Sequence, residues 1–174
     1  MALCTSVHQL GVTRIITTSI EHHAVGHTVE ALQKSDNIKV DYVKIDQKGN
    51  VDLKDLEYLL ESNEKTLVSL MHANNEIGTL LPIDKVNNLC KKYNALFHSD
   101  TVQTMGHYNF NLKEQNIDFI TGAAHKFHGP KGVGFLYINK QNKANPLIHG
   151  GAQERGLRGG TENVYGIVGL AKAL

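Results

Sequence analysis

A chain of 174 residues carrying 18 Lys and Arg against 17 Asp and Glu has a formal net charge of +1 at pH 7. That balance gives no electrostatic footprint for nucleic acid or an anionic membrane surface, so neither is expected as a partner and a small soluble ligand is. Hydrophobic content of 41% and charged content of 20% belong to an ordinary globular protein, and one domain is the default at this length.

Cys4 and Cys90 are the only cysteines and lack the paired spacing of a disulfide framework or a zinc knuckle, which fits a reducing, cytoplasmic setting. The opening residues Met1–Thr5 show no basic leader followed by an apolar run, and no stretch approaches the roughly 20 apolar residues of a membrane span. Ten histidines are many for a chain this short and need a chemical account.

Arg14–Thr18 is a β-branched run ending at Glu21-His22-His23, after which Ala24 to Gln33 reads as helix. Val40–Ile45 alternates like a strand and stops at Lys48-Gly49-Asn50, a turn signal. Asp52 can cap a helix whose Leu53, Leu56, Leu59 and Leu60 share a face. Thr66–Met71 is nearly all apolar, as expected of a strand buried on both faces of a parallel sheet. Ile83, Val86, Leu89, Cys90 and Tyr93 recur at helical spacing, and a strand follows at 95–98. Residues 117–121 and 133–138 are two more strand candidates, the second entered through the Gly-Pro-Lys-Gly turn at 129–132. The Gly-rich stretch 149–161 is too varied for a linker and reads as a functional loop. Strands alternating with helices predict an α/β fold with a mostly parallel sheet flanked by helices.

Ligands of such sheets bind beyond the carboxyl ends of the strands, which is where the polar residues stand out. His22 follows the first strand, Asn74-Asn75-Glu76 the third, Ser99-Asp100 and Gln103 the fourth, and His125-Lys126 the fifth. An acid, an amide, an imidazole and a lysine are the groups that hold a pyridine-ring cofactor as a Schiff base with its ring nitrogen protonated. Asp100 would partner that nitrogen, and Lys126, partly buried beside a cation, would be the nucleophilic amine.

Blander roles compete. Lys126 alone reads as a solvated loop lysine, Asp100 as a cap for the residues after it, Lys131 as a turn residue, and His72 and His98 as structural partners at the sheet end. A rival from another class is a metal site on His23 and His27, spaced i, i+4, although no Glu stands between them in the metalloprotease arrangement and no third ligand is evident, so no metal is expected.

The segment Ile117–Lys126 followed by Phe127–Gly134 resembles the lysine signature of class V aminotransferases, a group of fold-type I pyridoxal-phosphate enzymes. Met71–Thr79 and His149–Arg158 are similar to the cysteine desulfurases that make persulfide for iron–sulfur clusters. The resemblance covers essentially the whole chain and implies a pyridoxal 5'-phosphate enzyme that converts L-cysteine to L-alanine. It implies that Lys126 forms the internal aldimine, His22 stacks on the ring, Asp100 pairs with the ring nitrogen, and Gln103 bonds the phenolic oxygen. The same resemblance implies that Asn75 lies beside cofactor and substrate carboxylate, that His125 touches the phosphate, and that Thr161 reaches the phosphate of the neighbouring subunit in a homodimer. It also implies a sulfur-acceptor or iron–sulfur scaffold protein as partner. Ala123 stands where the family usually has serine, which removes one hydroxyl donor to the phosphate.

On this reading residues 1–174 form a partial large domain, incomplete at both ends. An amino-terminal segment with a phosphate loop, and a smaller carboxyl-terminal domain with the persulfide-forming cysteine, are expected to be absent. Cys4 and Cys90 fall in predicted helices and are not nominated as nucleophile. The alternatives are a non-catalytic remnant that binds cofactor or a partner, and a related enzyme acting on selenocysteine.

Overall fold

The computed structural model describes residues 1–174. Helix α1 (Ala2–His8) precedes strand β1 (Arg14–Thr17), α2 (His23–Asp36), β2 (Lys39–Tyr42), α3 (Leu53–Leu60) and β3 (Thr66–Ser69). Next come α4 (Ile83–Lys92), β4 (Leu96–Asp100), the single-turn α5 (Leu112–Gln115) and β5 (Phe119–Ala123). A 3-10 turn at Ala124–Lys126, β6 (Gly134–Ile138), a second 3-10 turn at Glu154–Gly156 and α6 (Val164–Ala173) follow.

The six strands form one sheet in the order β2-β1-β3-β4-β5-β6. All neighbours from β2 to β5 pair in parallel, and only β6 runs antiparallel, against β5. The sheet is mostly parallel and flanked by helices, as the alternation in the sequence predicts. Every residue of β1 and β3 is buried, which is why these strands read as continuous runs and not as alternating ones.

Alternate side chains divide the core between two layers. Ile15, Leu67 and Phe119 pack with Leu3 of α1 and Val25, Val29 and Leu32 of α2. Ile16, Val68, Phe97 and Ile120 point the other way, onto Leu56 and Leu60 of α3 and Val86 and Cys90 of α4. Asp52 caps α3 as anticipated, accepting from the amides of Lys54 at 2.9 Å and Asp55 at 3.2 Å. The buried guanidinium of Arg14 is satisfied by Asp41 Oδ2 at 2.5 Å and the Leu59 carbonyl at 2.6 Å, which offsets the cost of burying its charge.

Boundaries and elements differ from the sequence reading: β3 stops at Ser69, β4 and β5 run on to Asp100 and Ala123, and α5 and α6 are additional helices. β2 ends at Tyr42, because Lys44 turns away to α3, where its amide donates to the Asp55 carboxylate at 2.9 Å. α5 is too short to show a period. α6 contains two glycines, poor helix formers, and is held by the Asn163 cap on the Gly166 amide at 3.1 Å and by Leu170 and Ala173 packing on the core.

Phe97, fully buried at the centre of the sheet, provides a test of this two-layer core. Phe97→Ala should lower unfolding free energy by about 3–5 kcal/mol, a large part of what a domain possesses. Urea denaturation followed by circular dichroism measures it; an unchanged midpoint would contradict the packing.

Candidate functional site

Because β1, β3, β4 and β5 run in parallel, their carboxyl ends open on a single rim. The segments leaving that rim are laced together by backbone bonds. The His72 amide donates to the Asp100 carbonyl at 2.9 Å, and the Thr101 amide to the Thr121 carbonyl at 3.0 Å.

His22 is the N-cap of α2, where its Nδ1 accepts from the Ala24 amide at 3.1 Å, so the ring orientation is set by the helix it opens. It faces a cleft of about 300 Å³ that it shares with Glu21, Asn74, Asn75 and Glu76. His22 and Asn75, from the ends of β1 and β3, are therefore brought to one cavity. The support beneath them is Asn74, whose amide donates to the Ile20 carbonyl at 2.7 Å while its Oδ1 accepts from the amides of Glu76 at 2.8 Å and Ile77 at 3.0 Å.

Asp100 is the last residue of β4, half-buried, with Oδ1 accepting from the Val102 amide at 2.9 Å. No helix begins after β4, so Asp100 is not the helix N-cap of the bland reading; its side chain closes a turn onto Val102 and so occupies one oxygen. Burial pushes the Asp100 carboxyl above its ordinary range, and the Val102 amide and the charge of His22 pull it back. Asp100 and His22 therefore lie close enough to influence each other electrostatically. Gln103 is half-buried in the turn that follows.

Lys126 ends the 3-10 turn after β5 and is exposed. This corrects the expected partial burial: Phe127 takes the interior position, 1% exposed, and the lysine side chain stays in solvent. Its backbone is fixed by His107, whose Nε2 donates to the Lys126 carbonyl at 3.1 Å. Gly106 permits that approach. It has φ +80°, and a Cβ there would lie 2.7 Å from the Phe127 Cβ. The Gln103 turn and the Lys126 turn thus meet through a contact only glycine allows.

His125 is exposed beside Lys126, and Ala123 closes β5 with no hydroxyl to offer. Thr161 lies apart, on the exposed stretch between the second 3-10 turn and α6. The Gly-rich segment before it folds on itself, with the Gly159 amide donating to the Ile148 carbonyl at 2.8 Å. His23 and His27 stack at 4.9 Å, but no group of three or more His, Cys, Asp or Glu is arranged to hold a metal ion. Cys4 and Cys90 sit in α1 and α4, and burial pushes the Cys90 thiol far up.

His72 and His98 are the structural partners expected of them. His72 Nδ1 meets Thr104 Oγ1 at 2.9 Å, and His98 Nδ1 meets Ser69 Oγ at 2.8 Å. Enclosure drives the His98 imidazole down to about 3, so it is neutral. Glu21 was passed over in the sequence, being read only as the end of a strand. Its Oε1 accepts from the Met71 amide at 2.7 Å and from Thr18 Oγ1 at 3.1 Å.

The model of the family described as aminotransferase class-V matches residues 2–174. The chain belongs to that family. A cysteine desulfurase IscS of Clostridium botulinum is 52% identical over 160 residues, which is 92% of this class-V chain and 40% of the relative. A solved NifS-like protein superposes with a TM-score of 0.92 at 48% identity, over 99% of this chain and 48% of its own. A second solved structure, SspA in complex with cysteine, gives 0.88 at 35% identity over 98% and 51%. The class-V chain spans about two fifths of the length of the curated relatives it matches.

The close approach at Gly106 can be separated from backbone strain by comparing it with Gly11, which has φ +71° and nothing within 4 Å of its notional Cβ. Gly11→Ala should cost about 1–2 kcal/mol, from the left-handed backbone. Gly106→Ala should cost roughly 1–3 kcal/mol more, from the clash with Phe127. Equal losses in chemical denaturation would remove the contact from the account.

Proposed function

We propose that this chain is the cofactor-holding part of a pyridoxal-phosphate-dependent cysteine desulfurase, which takes sulfur from L-cysteine, leaves L-alanine and passes the sulfur on as a persulfide for iron–sulfur cluster assembly. The observation that carries the reading is the arrival of His22, Asn75, Asp100 and Lys126 at the carboxyl ends of four parallel strands in a chain of the class-V family. The solved relative in complex with cysteine supports that substrate class.

The donor set fits the cofactor. A carboxyl with one oxygen tied to Val102 and its acidity weakened by burial is the kind of group that gains from a cationic partner. Pyridoxal phosphate, when bound, supplies an electron sink for negative charge at the substrate α-carbon. Asp100 would hold a proton at the ring nitrogen, His22 would lie against the ring face, and Gln103 would bond the phenolic oxygen. Asn75 orients cofactor and substrate carboxylate from the His22 side of the cleft. Lys126 Nζ would be the group that holds the cofactor, its backbone steadied by His107.

His125 would contact the phosphate, and Thr161 would reach the phosphate of a neighbouring subunit in a homodimer. Exposed apolar residues on α6, among them Val164, Tyr165 and Val168, are consistent with a covered face in that assembly. Cys90 is buried in the core and Cys4 lies within a helix, so neither is nominated as the persulfide-bearing cysteine. Two free cysteines accord with a reducing, cytoplasmic setting.

Incubation with pyridoxal phosphate followed by borohydride should leave a stable adduct that peptide mapping finds at Lys126 and that Lys126→Ala abolishes. Labelling mainly at Lys131 would overturn the assignment. Ala123→Ser should tighten cofactor binding about tenfold, the effect of one hydroxyl-to-phosphate hydrogen bond of roughly 1.5 kcal/mol. Equilibrium titration of cofactor absorbance measures it, and unchanged affinity would place Ala123 away from the phosphate.

A further inference from the structure

Glu21 is a carboxyl on the rim with no ion pair. Its Oε1 is doubly engaged by the Met71 amide and the Thr18 hydroxyl, and its Oε2 is buried without a hydrogen-bond partner. It lies between the small cavity formed with Thr18, Leu70 and Leu81 and the open cleft in front of His22. The residue before it is tied to the same neighbour, because the Ile20 carbonyl accepts from Asn74 at 2.7 Å. Two adjacent residues at the end of β1 are thereby fastened to the loop after β3, one through its side chain and one through its backbone.

We propose that Glu21 is a positioning residue, held as the neutral acid, which clamps the end of β1 to the end of β3 and so sets His22 and Asn75 across one cleft. An ionised carboxylate could not remain there cheaply, since Oε2 lacks any donor and burying an unsatisfied anion is strongly unfavourable. Desolvation pushes the Glu21 carboxyl up to about 8, against the opposing pull of the Met71 amide and Thr18. The ionisable groups facing it are Asp100 from β4, whose charge adds to the rise, and His22, His23 and Glu76 around the cleft. The segment packed on its other side contributes Gly49 and Val51, which carry no charge.

The sign of the pH dependence follows. The carboxyl is protonated in the folded chain up to about 8, whereas it ionises near 4.5 when unfolded. Between those values folding retains a proton that the unfolded chain has lost, so stability falls as pH rises through the window. Ionisation at its upper end leaves the Met71 and Thr18 hydrogen bonds in place, since both favour the anion, but puts charge on a carboxyl whose buried Oε2 has no donor, and the relief of that cost displaces His22 and Asn75. Only the significance of those two residues for a cofactor rests on the functional reading above; the clamp itself does not.

The test is a pH titration by nuclear magnetic resonance of the full 174-residue chain without cofactor, with Glu21→Gln and Glu21→Ala as comparisons. The Glu21 side-chain carbon should titrate with a midpoint near 8, not near 4.5. The amides of Met71, Ala24 and Asn75 should shift with that same midpoint. Glu21→Gln, which keeps the acceptor and supplies an uncharged group at Oε2, should preserve their positions and abolish the step, while Glu21→Ala should displace them at every pH. A midpoint near 4.5, or a step that persists in Glu21→Gln, would overturn the proposal. If neither variant folds, the wild-type titration decides, because Ala24 and Asn75 amides that ignore the Glu21 midpoint exclude the clamp. A Lys126 adduct together with unmoved amides would remove the clamp and leave the cofactor reading intact.

Discussion

Parallel pairing of β1, β3, β4 and β5 is the constraint on which the rest of the molecule depends. A parallel ladder cannot be closed by tight hairpins, so each return path must travel over a face of the sheet, and the helices that do so cover both faces. This forces Ile15 and Ile16, adjacent in sequence, into two different core layers. It also forces every chain segment that leaves a strand end to leave at the same rim. The chemistry of the site follows from topology before any side chain is considered.

What fastens those segments to one another is a second lattice, built from side chains that touch no ligand. Asn74 braces the β1 and β3 ends, His72 meets Thr104 beneath the Gln103 turn, and His107 holds the Lys126 carbonyl. Such supports matter because a functional group displaced by a fraction of an ångström loses most of its effect. Lys126 illustrates the point: its side chain is free in solvent, yet its backbone is pinned by His107 and by the burial of Phe127.

The strands and the principal helices were legible in the sequence because burial on both faces leaves uninterrupted apolar runs and helix faces leave a period. Leu53, Leu56, Leu59 and Leu60 announce α3, and Asp52 its start. The rim residues were legible because polar groups at strand ends stand out against those runs, and the long motif around Lys126 gave them a chemical meaning. α6 was not legible, since its two glycines argue against a helix that tertiary packing nevertheless supports. Glu21 and Gly106 were not legible either. Their roles depend on contacts with Met71 and Phe127, which are 50 and 21 residues away along the chain, and no local pattern encodes such distances. The exposure of Lys126 escaped for a related reason, since a sequence does not tell which of two neighbours in a tight turn takes the interior.

Burial at the rim also arranges charge. His98, behind the site, is kept neutral by full enclosure and is driven down to about 3, so the fold loses stability on acidification below about 6.5, where the unfolded imidazole would take a proton. Glu21 acts in the opposite sense, with its window from about 4.5 up to about 8. The two slopes oppose each other where the windows overlap and act singly outside it, so the contribution of these groups is greatest in the mildly acidic overlap between about 4.5 and 6.5. On the proposal above, a neutral Glu21 spares Asp100 a like charge on the same rim. Two like charges at that spacing would each raise the cost of the other.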